Sequence, residues 1–152
     1  MLRLPTFTYL NPRSLAEAVD LLAEHGASAM LVAGGTDLYP SMKRQLFTPD
    51  KLIGLRGLNE LQQMVIEGEA EGVTLGAGVT LTQIAEHPDL MRRYPVLTQA
   101  ARMISTPQLR NMGTLGGNLC LDTRCTYYNQ SAAWRQSLGY CMKKAGQTCW
   151  VA

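Results

Sequence analysis

The sequence predicts a mixed α+β fold, on three observations. A capped amphipathic helix lies between two short apolar segments near the N-terminus, the pattern of a βαβ unit. A second set of short apolar runs, joined through an acidic turn, follows further along. All four cysteines, Cys120, Cys125, Cys141 and Cys149, fall in the last stretch of chain and mark a compositionally separate tail. The chain has 152 residues, 46% hydrophobic and 17% charged, enough for one domain with a real core and too apolar for a disordered or fibrous protein. A net charge of +2 leaves no electrostatic footprint for nucleic acid. No apolar run approaches the roughly 20 residues that span a bilayer. The opening MLRLPTFTYLNPRS carries Pro and polar residues where a signal peptide is apolar. A cytoplasmic chain with neither membrane nor nucleic acid among its partners is expected.

Taken in order, Phe7–Leu10 reads as a strand, and Ser14 caps a helix running to about His25. Glu17 completes a capping box and Gly26 ends the helix. Leu15, Ala18, Val19 and Leu22 form its apolar face. Ala29–Ala33 is a continuous apolar run, expected as a strand buried on both faces and parallel to the first. A short helix after Thr36-Asp37 and a strand at Lys51–Leu55 come next, with a change of subdomain near 51–57. Gln63–Glu67 and Gly72–Gly76 read as strands joined through residues 68–71, and Thr82–His87 and Pro95–Ser105 as helices. In the last, Leu97, Ala100, Ala101 and Ile104 share a face.

Two glycine-rich stretches are the strongest candidates for chemistry. Ala33-Gly34-Gly35-Thr36-Asp37-Leu38 follows a strand and precedes a helix, where paired glycines let backbone approach a ligand and free N–H groups favour phosphate. Gly113-Thr114-Leu115-Gly116-Gly117-Asn118 offers further backbone donors with the Thr114 and Asn118 side chains. A tight turn and a bulged strand or hairpin are the plain alternatives. No GxxxxGK[ST] is present, and Gly76-Ala77-Gly78 lacks a third glycine, since position 81 is Leu; neither a P-loop nor a Rossmann fingerprint applies. Two such stretches closing on one pyrophosphate make a dinucleotide site of another type. The clustered thiols point to a metal site, structural zinc among the options, or to unliganded core residues. His25 and His87 read as solvent-facing, and Tyr127, Tyr128, Trp134 and Tyr140 as packing. Arg124, Arg135, Lys143 and Lys144 give the tail a positive face, a solvated surface or a landing area for an acidic carrier. No catalytic residue is assigned.

LVAGGTDL (31–38) followed by QLRNMGTLGGNL (108–119) resembles the FAD-binding medium subunit of the molybdenum hydroxylase family, which includes xanthine dehydrogenase and carbon monoxide dehydrogenase. FTYLNPRSLAEAVDLL and VTLGAGVTLTQI extend the resemblance over essentially the whole chain. It implies two α+β subdomains of the molybdopterin dehydrogenase (PCMH) type, at 1–56 and 57–119, with FAD between them. Leu31, Val32, Ala33, Gly34, Gly35, Thr36, Asp37 and Leu38, with Thr114, Gly116, Gly117 and Asn118, would hold the pyrophosphate and adjoining parts of FAD.

The tail at 120–152 resembles the inserted iron–sulfur loop of the 4-hydroxybenzoyl-CoA reductase branch. The resemblance implies a [4Fe–4S] cluster on Cys125, Cys141 and Cys149, with a fourth ligand at Cys120 or beyond Ala152, where the loop reads as cut short. Also implied are a ferredoxin-like donor, a [2Fe–2S] small subunit and a molybdenum-cofactor large subunit that carries the substrate site. Electrons would run from the donor through the cluster and FAD toward molybdenum, for reductive dehydroxylation to benzoyl-CoA in anaerobic aromatic degradation. Another molybdenum hydroxylase that passes electrons outward, or a metal-stabilised interaction module without flavin, are the alternative expectations.

Overall fold

Ser14 starts a helix because its side chain can replace the backbone partner that a first turn lacks. Its Oγ accepts the Glu17 N–H at 3.1 Å, and helix α1 runs over Leu15–His25. The reciprocal half of the expected capping box is displaced by one residue. Glu17 Oε2 accepts from the Arg13 N–H at 2.7 Å, so the carboxylate ties the entering chain instead of closing on Ser14. Gly26 ends the helix and leads through a 3₁₀ turn at Gly26–Ser28. The computed structural model describes residues 3–66, 68 and 72–152. No helix among them is long and apolar enough to cross a membrane.

Strands β1 (Thr8–Leu10), β2 (Ala29–Val32) and β3 (Lys51–Gly54) form a parallel sheet in the order β1-β3-β2, with helix α2 (Leu38–Lys43) between β2 and β3 in the chain. The first two strands are parallel as expected but do not pair with each other, because β3 lies between them. Burial explains the order. Leu52 and Ile53 are fully buried, one in the cluster with Val32 and Met42 and the other in the cluster with Ala18, Ala29 and Leu58, so β3 has core on both faces. The expectation that 29–33 is buried on both faces is corrected accordingly: β2 is an edge strand, and Leu31 is 43% exposed.

The second unit starts with the antiparallel pair β4 (Met64–Ile66) and β5 (Val73–Leu75), in which Met64 faces Leu75. The joining acidic turn falls largely on residues 67 and 69–71, outside the described residues. Helices α3 (Leu81–Glu86), α4 (Pro88–Arg93) and α5 (Pro95–Met103) pack over this hairpin around Val79, Ile84, Ala85, Leu90 and Ala101. The true reciprocal capping box of the protein is here: the Gln83 N–H donates to Thr80 Oγ1 at 3.2 Å, and the Thr80 N–H to Gln83 Oε1 at 2.8 Å. On α5 the buried positions are Thr98 and Ala101, while Ala100 is exposed. Thr98 satisfies its buried hydroxyl by donating to the Pro95 carbonyl at 3.0 Å. His87 is half-buried between α3 and α4, with Nδ1 buried and unbonded, so it is not solvent-facing as expected.

Helices α6 (Pro107–Arg110) and α7 (Leu115–Leu119) complete this unit, and α8 (Ala132–Ser137) is the one helix of the cysteine tail among the described residues. The tail shares a small core with the first unit: Tyr128 and Cys141 pack with Leu46, and Phe47 and Cys125 pack against them. Tyr127 lies 6.2 Å from Trp134 and 6.4 Å from Trp150, ring centre to ring centre, so these aromatics pack as expected.

Candidate functional site

The two glycine stretches meet. A Cβ on Gly34 would collide with the Met112 carbonyl, and Thr36 Oγ1 would lie 3.6 Å from a Cβ on Gly113. Only a residue without a side chain lets these two backbones pass so closely. The second stretch is stitched in turn to the loop between β5 and α3. The Leu81 N–H donates to the Gly113 carbonyl at 2.9 Å, Leu115 N–H to Val79 at 2.8 Å, and Gly116 N–H to Ala77 at 2.8 Å. A Cβ on Gly116 would stand 2.8 Å from that of Ala77, which makes glycine obligatory at this contact.

Between the two units lies a cavity of 580 Å³, within the usual size range for small-molecule and cofactor sites. All twelve residues assigned to a dinucleotide by the sequence line it: Leu31 to Leu38 from one side, and Thr114, Gly116, Gly117 and Asn118 from the other. Most of its remaining wall is apolar, including Leu15, Val19 and Leu22 of α1, Leu55, Leu81 and Ile104, and Asp122 and Arg124 of the tail also line it. Part of the α1 stripe read as core therefore faces this opening, and Val19 is 58% exposed. Sequence reasoning missed the wall; an apolar stripe wider than one small helix needs was the available signal.

The geometry differs from the expectation in one respect. The N–H groups of residues 115–118 are not free donors. Gly117 N–H donates to Thr114 Oγ1 at 3.2 Å and Asn118 N–H to the Thr114 carbonyl at 2.9 Å, while those of Leu115 and Gly116 hold the adjoining loop. This stretch is a short capped helix, neither bulge nor hairpin. Thr114, Gly116, Gly117 and Asn118 of this stretch line the cavity.

The cysteine tail is fastened beside the cavity along α2. At one end the Arg124 guanidinium meets Asp37 Oδ1 at 2.8 Å, and at the other Arg135 donates to the carbonyls of Arg44 (3.3 Å) and Gln45 (2.9 Å). Lys144 donates to the Leu46 carbonyl and sits over the Phe47 ring at 5.9 Å, while Lys143 pairs with Asp122 at 2.8 Å. The positive face expected of these residues is thus corrected. A helix C-terminus leaves carbonyls in need of donors, and Arg135, at only 3% exposure, and Lys144 turn inward to supply them, while Arg124 and Lys143 stay about half exposed on carboxylates. Lys143 holds the Asp122 carboxyl below the usual carboxylate range. Burial, with help from Asp122, pushes the Tyr128 phenol up to about 12.

Cys141 is buried, Cys125 half-buried against the same cluster, and Cys149 exposed, its thiol lowered by the backbone N–H groups of Val151 and Ala152. Cys120 is exposed at the end of α7 and lines the cavity. Among the described residues no three metal-ligating side chains are grouped to hold an ion, so the arrangement falls short of a four-thiolate site.

A parallel βαβ layer and a helix-covered hairpin that share one glycine-edged cavity define the class: a two-part α+β module with a cavity of cofactor size. Residues 5–133 match the model of the FAD binding domain in molybdopterin dehydrogenase, and the chain belongs to that family. It is 39% identical over 115 residues to the carbon monoxide dehydrogenase medium chain of Hydrogenophaga pseudoflava, covering 76% of this chain and 39% of that one. To the aldehyde oxidoreductase FAD-binding subunit of Escherichia coli it is 39% identical over 122 residues, covering 80% and 37%. Among solved structures, carbon monoxide dehydrogenase from Hydrogenophaga pseudoflava superposes with a TM-score of 0.73 at 38% identity over 77% of this chain and 40% of that one. Quinoline 2-oxidoreductase from Pseudomonas putida 86 gives 0.71 at 32% identity, over 77% and 40%. The chain spans about two fifths of the length of these relatives.

Proposed function

We propose that this chain is the FAD-holding part of the medium subunit of a molybdenum hydroxylase-type oxidoreductase, and that it relays electrons between other centres without touching the substrate. The supporting observation is the single cavity lined by both glycine stretches in a chain of the FAD-binding family. Residues 1–56 and 57–119 serve as the two flavin-binding subdomains and 120–152 as an appended segment. Residues 31–38 and 114–118 border the diphosphate, and the leucine wall takes the flat ring out of water. When bound, FAD supplies exchange of electrons singly or in pairs. A molybdenum-cofactor large subunit and an iron–sulfur small subunit are the partners this reading requires.

Purification with the native partners should give a yellow protein that releases FAD, and not FMN, on denaturation, at about one per chain. Colourless protein that binds no added FAD, with or without zinc, would remove this reading in favour of a structural module.

A second reading refines the first: the reductase acting on 4-hydroxybenzoyl-CoA, fed by a ferredoxin-like donor through a [4Fe–4S] cluster on Cys125, Cys141 and Cys149. The favouring observation is that Cys125 packs against the cluster containing Cys141. It further requires Cys149 and a fourth ligand, Cys120 or one outside this sequence, to close on that pair. Iron and acid-labile sulfide in excess of what the small subunit holds, lost on Cys141→Ser, would support it; flavin without that excess leaves the broader reading alone.

A further inference from the structure

A dinucleotide carries two negative charges at its diphosphate, yet two of the residues that line the cavity, Asp37 and Asp122, are acidic. Like charges around one cavity weaken binding unless something offsets them. Asp37 sits directly after the glycine pair, at the N-terminus of α2, where its side chain would ordinarily turn back to cap the helix. It makes no such capping bond. Its carboxylate points to the tail instead and is held there by the Arg124 guanidinium at 2.8 Å. Asp122 is likewise engaged by Lys143 at 2.8 Å, with the Tyr128 hydroxyl donating to its second oxygen at 3.0 Å. Arg124 is the one cationic side chain among the described residues that line the cavity, and it already has a partner. Lys143 and Asp122 both belong to the cysteine segment and neutralise each other within it, so the pair by which the segment offsets a charge of the glycine stretch is Arg124–Asp37.

We propose that the cysteine segment forms the charge-compensating wall of the flavin cavity, with Arg124 acting as a positioning residue that neutralises Asp37 and holds it off the diphosphate. This rests on the flavin reading above, and it gives residues 120–152 a role in cofactor affinity that is independent of any metal on the thiols. Arg124 does not ligate the diphosphate; it removes a repulsion.

A charge cycle tests it. FAD dissociation constants are measured by flavin fluorescence on the protein purified with its partners and stripped of flavin, for wild type, Arg124→Gln, Asp37→Asn and the double variant. Arg124 is 58% exposed at its side chain, so its replacement leaves the fold intact, as circular dichroism checks. Loss of the cation should weaken FAD about tenfold, the size of one uncompensated charge near a diphosphate. Salt near 0.5 M should shrink that loss by screening. Asp37→Asn alone should tighten FAD about threefold, and the double variant should return to within about threefold of wild type. Riboflavin, which has no phosphate, should bind Arg124→Gln and wild type alike. An Arg124→Gln defect that Asp37→Asn does not rescue makes Arg124 a direct ligand and overturns the proposal, as does equal FAD affinity in all four proteins. Wild type that takes up no FAD defeats the flavin reading itself, so the two failures are distinguishable.

Discussion

The glycine cavity and the cysteine tail are built on opposite principles. At the cavity, backbone approaches backbone: Gly34 against Met112, Gly116 against Ala77, with leucines behind and few polar groups. In the tail a small apolar contact, Tyr128 and Cys141 against Leu46 of the first unit, is supplemented by charged side chains that reach across to α2. Close packing without side chains has no slack, whereas long cationic side chains can adjust. The cavity should therefore fail abruptly on substitution and the tail by degrees.

The largest effect is expected at Gly34. Gly34→Ala forces a Cβ into the Met112 carbonyl, so the two glycine stretches must separate. Backbone on both sides leaves no flexible group to yield, and overpacking of this kind costs about 1–3 kcal/mol or more. Flavin content should fall about a hundredfold, because both halves of the binding edge move at once. Measurement is the ratio of flavin to protein after gel filtration, with thermal unfolding as the control. Retained flavin at wild-type stoichiometry would show that the cavity tolerates slack and would erase the contrast with the tail.

Next in size is Arg135→Met. The guanidinium is 3% exposed and bonds the carbonyls of Arg44, Gln45 and Gln130. Removing it strands buried acceptors, a loss of about 3 kcal/mol. Arg135→Lys keeps the charge but not the fork and should recover only part of this. Limited proteolysis should cut the tail of Arg135→Met first while residues 3–66 stay protected. Loss of protection throughout would mean that tail and cavity form one cooperative unit.

These contrasts bear on what the sequence made legible. The first helix, the strands and both glycine stretches could be read because their causes are local: a cap at Ser14, apolar runs, and missing side chains where chains cross. The order β1-β3-β2 could not, because the choice of central strand depends on which residues find core on both faces, and Leu52 and Ile53 differ little in type from Met30 and Leu31. The glycine residues of the cavity were legible while its leucine wall was not, since an apolar side chain facing a cavity looks the same in sequence as one facing a core. The engagement of Arg124, Arg135 and Lys144 was hidden for a different reason. Their partners are a carboxylate and backbone carbonyls far away in the chain, and a carbonyl has no sequence signature.

The smallest effects give the sharpest comparison, because the two regions contain the same device. Thr114 caps α7 through the Gly117 N–H, and Ser131 caps α8 through the Trp134 N–H at 3.3 Å. Replacing either by alanine removes one capping bond and should cost about 1 kcal/mol of stability. The consequences should then diverge. Thr114 is 8% exposed, and its own backbone lines the cavity and pairs with Thr80, so a loosened α7 shifts the cavity wall. Ser131 is not among the residues that line the cavity, and Arg135 anchors α8 to the Gln45 carbonyl independently of the cap. Denaturant midpoints for Thr114→Ala and Ser131→Ala should match, while FAD affinity drops severalfold for the first and stays within error for the second. Equal losses of affinity would mean that a disturbance in the tail reaches the cavity through α2, and the two regions would have to be treated as one mechanical body.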